Sequence, residues 1–190
     1  MSKARIVRTN PAKTSSPIIK ASLDWWQMSG GVIDAASQRL QEIYSRTIIA
    51  LDCPESWPPP FLSVGPDTLM AYMWGEDCAR QAPGGSHLPD KTLDDQVVPL
   101  YREVSSLLGP ASDFVTASMS SKWGAVRINY ERLILPARLK NGRAVFLTAT
   151  QLHRMVLLPE YKDGVPSLRG TEDLICKPGQ LAFAPENEQA

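Results

Sequence analysis

Between Val126 and Leu152 the chain reads VRINYERLILPARLKNGRAVFLTATQL. Successive side chains of a strand point to opposite faces, so Val126, Ile128 and Tyr130 share one face and Arg127, Asn129 and Glu131 the other. The alternation then gives way to three apolar residues in a row, Leu133-Ile134-Leu135. A second apolar run follows Asn141-Gly142. Asn-Gly is a hairpin signal, because a type I′ turn needs positive φ at both central residues. The pattern therefore predicts strands from Val126 to Leu139 and from Arg143 to Leu152, joined by a tight turn, with a further strand over Phe114 to Met119.

Upstream, Ser16-Pro17 offers a cap residue and then Pro at a first helical position, which predicts a helix from Ile18 to Met28. Gly30-Gly31 interrupts it. Ile33, Ala36, Leu40 and Ile43 recur at helical spacing and predict a second helix over Val32 to Tyr44. Thr47 to Leu51 is β-prone and is ended by Pro54 and Pro58-Pro59-Pro60. Phe61 to Val64 is expected as a strand, and Pro66 as the opening of a helix over Thr68 to Trp74 that Gly75 stops. Residues 82 to 91 have loop composition. Leu93 to Leu108 carries Val97, Leu100, Val104 and Leu107 on one helical face, with Pro99 as an alternative start.

This order predicts an α+β fold: a five-stranded antiparallel sheet with flanking helices and an N-terminal helical extension. The expected division is a flexible leader (1–15), the helical extension (16–45), the main domain (46–154) and a tail (155–190) with one packed segment around Leu174-Ile175. The helix at Val32 to Tyr44 is expected to cover one sheet face.

Of the 190 residues, 43% are hydrophobic and 21% charged, which suits a folded core and one domain with extensions. Formal net charge is zero, which argues against a general nucleic-acid binder. Lys3, Arg5, Arg8, Lys13 and Lys20 precede the first acid, Asp24, and read as a solvated tail. No stretch is long enough for a membrane span and no signal-peptide core is present, so a cytoplasmic location is expected. Cys53, Cys78 and Cys176 are far apart, and only His87 and His153 could join them, which gives poor support for zinc or a disulfide framework.

Three segments carry a family resemblance: PFLSVGPDTLMAYMWGEDC (60–78), VPLYREVSSLLG (98–109) and NYERLILPARLKNGRAVFLTATQL (129–152). Together with the element order they resemble a PAS domain over Ile43 to Leu152, and more narrowly the stand-alone PAS proteins common in alphaproteobacteria. The likeness includes Trp25-Trp26, Val64-Gly65, and Glu131-Arg132 with Pro136. The resemblance implies a regulatory or sensory module without an output domain of its own. Such a module acts through a small ligand, a protein partner or a homodimer, and no particular ligand is implied.

The light-sensing flavin PAS proteins need Cys in a Gly-x-Asn-Cys-Arg-Phe-Leu-Gln helix. Here Asp77 precedes Cys78 and Ala79-Arg80-Gln81 follows it; Gln151 and Asn129 are only loose matches. Flavin is disfavoured and Cys78 reads as an ordinary buried thiol. Haem is disfavoured too, because the helix at Leu93 to Leu108 has no His, His87 lies in a Gly/Pro loop and His153 reads as a strand-end residue. No nucleophile elbow, Walker loop, HExxH or Rossmann fingerprint occurs, and Ser86, His87 and Asp90 are too close in sequence for a triad, so no enzyme is expected.

The candidate pocket residues are Tyr72, Trp74, Trp123, Arg127, Asn129 and Tyr130, with Met70 and Met73 as adaptable packing. Each has a plainer reading as core or as a wet strand face. Trp25 and Trp26 cannot both face a core from adjacent helical positions, and are the candidates for docking or dimerisation. The alternative function is a ligand-free adaptor or dimerisation protein, with a flavin protein behind it.

Overall fold

Arg5–Thr9 (RIVRT) is short, β-branched at its centre and flanked by charge, and it forms a strand, β1, along the outer edge of the sheet. This corrects the expectation of a flexible leader there: the strand pairs antiparallel with Ala111–Ser121, Arg5 opposite Thr116 and Thr9 opposite Ser112. The computed structural model describes residues 4–85, 88, 91–158, 160–162 and 165–167. Ser86, His87, Asp90, the Val97 side chain, Leu174-Ile175 and Cys176 lie outside the described set.

After a 3₁₀ turn at Pro11–Lys13, helix α1 covers Pro17–Ser29 and ends at Gly30. Val32–Ile33 is not helical. It forms β2, a short parallel neighbour of Arg138 and Leu139, and helix α2 starts only at Gln38 and runs to Tyr44, capped by Ser37. Then come β3 (Thr47–Leu51), β4 (Phe61–Val64), α3 (Leu69–Trp74), α4 (Glu76–Gln81) and α5 (Lys91–Leu107). Three long strands follow, β5 (Ala111–Ser121), β6 (Gly124–Leu139) and β7 (Ala144–Leu157), and a small hairpin, β8 (Glu160–Lys162) with β9 (Val165–Ser167). Pro99 sits inside α5 and does not start it.

The fold is α+β, with a seven-stranded, almost wholly antiparallel sheet in the order β1-β5-β6-β7-β3-β4 and β2 alongside the end of β6. Five of these strands are the expected ones. β1 and β2 come from the N-terminal region, where the sequence suggested leader and helix. Among the described residues, no helix is long and apolar enough to cross a membrane.

The run Leu133-Ile134-Leu135 is explained by burial on both faces. Leu133 and Leu135 pack with Leu147 and Ala149 under Ile18, Ile19, Leu23 and Trp25 of α1. Ile134 points the other way, to Leu100, Tyr101 and Val104 of α5. The alternation of β6 therefore never breaks; both faces are covered at this end. Leu107, expected on the buried face of α5, is exposed, and Tyr101 is buried.

The β6–β7 turn also differs from expectation. Gly142 N donates to Leu139 O at 2.9 Å, so Lys140 and Asn141 are the central residues. Neither has positive φ, whereas Gly142 sits at +85°. This is the pattern of an ordinary turn followed by a left-handed glycine, which forms a bulge that matches the strand twist.

Candidate functional site

Continuing the alternation of β6 past Tyr130 places Arg132 on the face that looks toward α3 and α5. There the structure has a cavity of about 70 Å³. Met70, Met73 and Trp74 line it from α3, Tyr101 from α5, Met119 from β5, and Thr148 and Thr150 from β7, with Tyr130 and Arg132 on its β6 wall. The lining is mainly apolar, with a few hydroxyls and one guanidinium.

That guanidinium is 4% exposed. Its partner is Asp113, directly opposite on β5 and fully buried. Arg132 Nε donates to Asp113 Oδ1 at 3.1 Å and Nη2 to Oδ2 at 2.6 Å. Burial works against the Arg132 charge, but the Asp113 carboxylate, with Tyr130 and Tyr101, outweighs it and holds the group above its ordinary value. Asp113 also lies 3.6 Å from Arg8 Nη1, and Arg8 in turn pairs with Glu103 of α5. A chain of charge thus leads from the cavity wall to β1 and α5.

Tyr130 is 4% exposed and lines the same cavity. Burial is the chief cause that pushes its hydroxyl up to about 12. Among the described residues its hydroxyl finds no hydrogen-bond partner. The Tyr101 hydroxyl, by contrast, lies 2.9 Å from Thr148 Oγ1.

A second, more polar cleft of about 200 Å³ adjoins the first, and Leu69 and Thr150 line both. Arg46, Asp67, Glu76 and Lys122 stand around it. Lys122 Nζ lies 4.6 Å from the Trp123 ring centroid, and Tyr72 and Trp123 meet at 5.0 Å.

The six candidate pocket residues therefore separate. Trp74 and Tyr130 line the cavity. Tyr72 lines the neighbouring cleft, and Trp123 stacks against it at the surface. Arg127 and Asn129 belong to the opposite face of β6, as the alternation required, so they do not join the pocket. Gln151 pairs with Glu131 on that same far face, which places both loose flavin matches away from the cavity.

The two tryptophans both serve the chain's own fold. Trp25 is 2% exposed against the sheet, and Trp26 is half-buried with its indole N–H donating to Pro136 O at 2.6 Å. Trp26 packs against the cluster that holds Leu133, Leu135 and Leu147, so it is not held wholly out for a partner as the sequence suggested. Glu131 is also structural, accepting from Thr14 Oγ1 at 2.8 Å and from Ser16, and so tying the start of α1 to the sheet. His153 is not at a strand end. It is the extra residue of a bulge between Asn129 and Tyr130, with Nε2 3.7 Å from Glu131 Oε2. Cys53 and Cys78 are free thiols, and burial pushes Cys78 up. No cluster of three metal-ligating side chains occurs among the described residues.

The residues missed were Arg132 and its partner Asp113, and the hydroxyls of Tyr101, Thr148 and Thr150. Arg132 had a signal: it is the next same-face position after Tyr130. Asp113 had none until the β5–β6 register was known. Comparison with protein-family models, curated proteins and solved structures finds no match to this chain.

Proposed function

We propose that this protein is a PAS-like sensory module that binds a small molecule in the cavity between β6 and α3. The observation that carries the reading is a partly open, mainly apolar hollow with Tyr130 and Arg132 on its wall. Support for the PAS-like assignment comes from the element order: two strands, a helical crossover and three antiparallel strands, with β7 returning beside β3. The Arg132–Asp113–Arg8–Glu103 chain supplies a route by which occupancy is felt at β1 and α5. A ligand shifts such an equilibrium only by its differential affinity for the two states, and a ligand that disturbs the Arg132–Asp113 pair has that property.

Native mass spectrometry of the full chain purified from cells tests the reading, with Thr150→Phe as the blocked control. Thr150 is only partly buried, so the larger ring has room to be accommodated while intruding on the cavity. An added mass on the wild type that the variant loses supports the sensor. A wild type free of adduct, and unchanged by small-molecule libraries, moves the reading to a ligand-free adaptor.

A further inference from the structure

Building on the proposed sensor cavity, we infer that its ligand is a small neutral carbonyl compound, an alkyl or cyclic ketone, aldehyde or lactone, that accepts a hydrogen bond from the Tyr130 hydroxyl. Three observations lead there. First, Tyr130 is 4% exposed as a residue, no hydrogen bond reaches its hydroxyl among the described residues, and the oxygen opens on the hollow instead of being sealed in. A donor that faces a mainly apolar hollow gains a partner from any acceptor that enters. Second, Arg132, Tyr101 and Thr148 on the same wall already have partners, which leaves the Tyr130 hydroxyl and, at the mouth shared with the neighbouring cleft, Thr150. Arg132 is held by Asp113 at 2.6 Å, and Thr148 is shared with Tyr101.

A ligand carboxylate would then be an extra charge in a mainly apolar space, while an ammonium would face the Arg132 guanidinium. The upward push on the Tyr130 phenol toward about 12, which is chiefly burial, reports the same penalty on negative charge at this point. Third, the volume of about 70 Å³ is small. A water needs about 10–15 Å³ on this measure, so the space suits roughly five to seven non-hydrogen atoms and falls well below the roughly 300 Å³ at which drug-sized pockets begin.

The experiment is a titration of the full chain, labelled with ¹³C at the methionine methyls, with three probes of matched size: cyclopentanone, methylcyclopentane and cyclopropanecarboxylate. Met70, Met73 and Met119 line the cavity, whereas Met28 is exposed on α1 and reports non-specific effects. Saturable shifts of the three lining methyls are expected, with cyclopentanone about tenfold tighter than methylcyclopentane and the carboxylate weakest. Tyr130→Phe should bring ketone and hydrocarbon to equal affinity. A readout that needs no variant is the carbonyl ¹³C shift of bound cyclopentanone, which moves downfield on accepting a hydrogen bond. Hydrocarbon binding as tight as the ketone, an unmoved carbonyl shift, or a preference for the carboxylate overturns this inference while leaving the cavity as a binding site. Silence of the lining methyls with every probe overturns the sensor reading as well.

Discussion

Asp113 and Arg132 face each other across β5 and β6 and share two hydrogen bonds, 3.1 and 2.6 Å long, in a part of the molecule that excludes water from both. Breaking such a pair from one side strands a charge. Asp113→Ala should cost about 3–5 kcal/mol of unfolding free energy. Replacing both with apolar residues, Asp113→Leu with Arg132→Met, should recover most of it, because neither charge is then left buried. Urea unfolding of the two variants checks this. Equal losses in both would mean that the pair acts through something other than mutual charge compensation.

Tyr130 predicts a pH signature. Its hydroxyl ionises near 12 in the folded chain and near 10 when unfolded. Below pH 10 both states hold the proton and the group has no effect on pH dependence. From about pH 10 upward the unfolded state releases it first, so stability falls, by roughly 3 kcal/mol once pH passes 12. Unfolding measured from pH 8 to 12 should show a steeper decline in the wild type than in Tyr130→Phe. Parallel curves would remove the buried phenol from the account.

Gly65 closes a tight backbone crossing. Its N–H donates to Thr47 O at 3.0 Å, and a methyl at its Cα would overlap the Ser45 carbonyl and the Tyr44 carbonyl, both rigid backbone. Gly65→Ala should destabilise by about 1–3 kcal/mol, read as a lowered thermal midpoint. An unchanged midpoint would mean that the crossing is looser than described.

The N-terminal segment is part of the core. Without residues 1–44, Leu133, Leu135, Leu147 and Ala149 lose the cover of α1 and α2, and β5 loses its edge partner β1. A chain beginning at Ser45 should aggregate or bind hydrophobic dye strongly. A monomeric, cooperatively folding 45–190 fragment would contradict this placement.

Legibility in the sequence followed the range of the forces. Local signals worked: Thr47–Leu51 and Phe61–Val64 are strands at the residues expected, and α1 differs from its expected bounds by one residue at each end. Where a short segment is held by a distant partner, local pattern misled. Arg5–Thr9 looks like a charged tail until β5 is beside it, and Val32–Ile33 looks helical until β6 is. The site behaved likewise. Trp74 and Tyr130 were legible from chemistry and period, and Arg127 and Asn129 were excluded by the same period once the cavity's face was known. Asp113 lies nineteen positions from Arg132, and only the register joins them.

The most direct test of the central claim is a crystal of the full chain under xenon pressure, because xenon enters apolar space that side chains leave open. A xenon peak is expected between α3 and β6, in contact with Met73 and Met119 and beside the Tyr130 ring. Side chains closing that space, with no xenon between them, would contradict a ligand cavity and leave a filled core in its place.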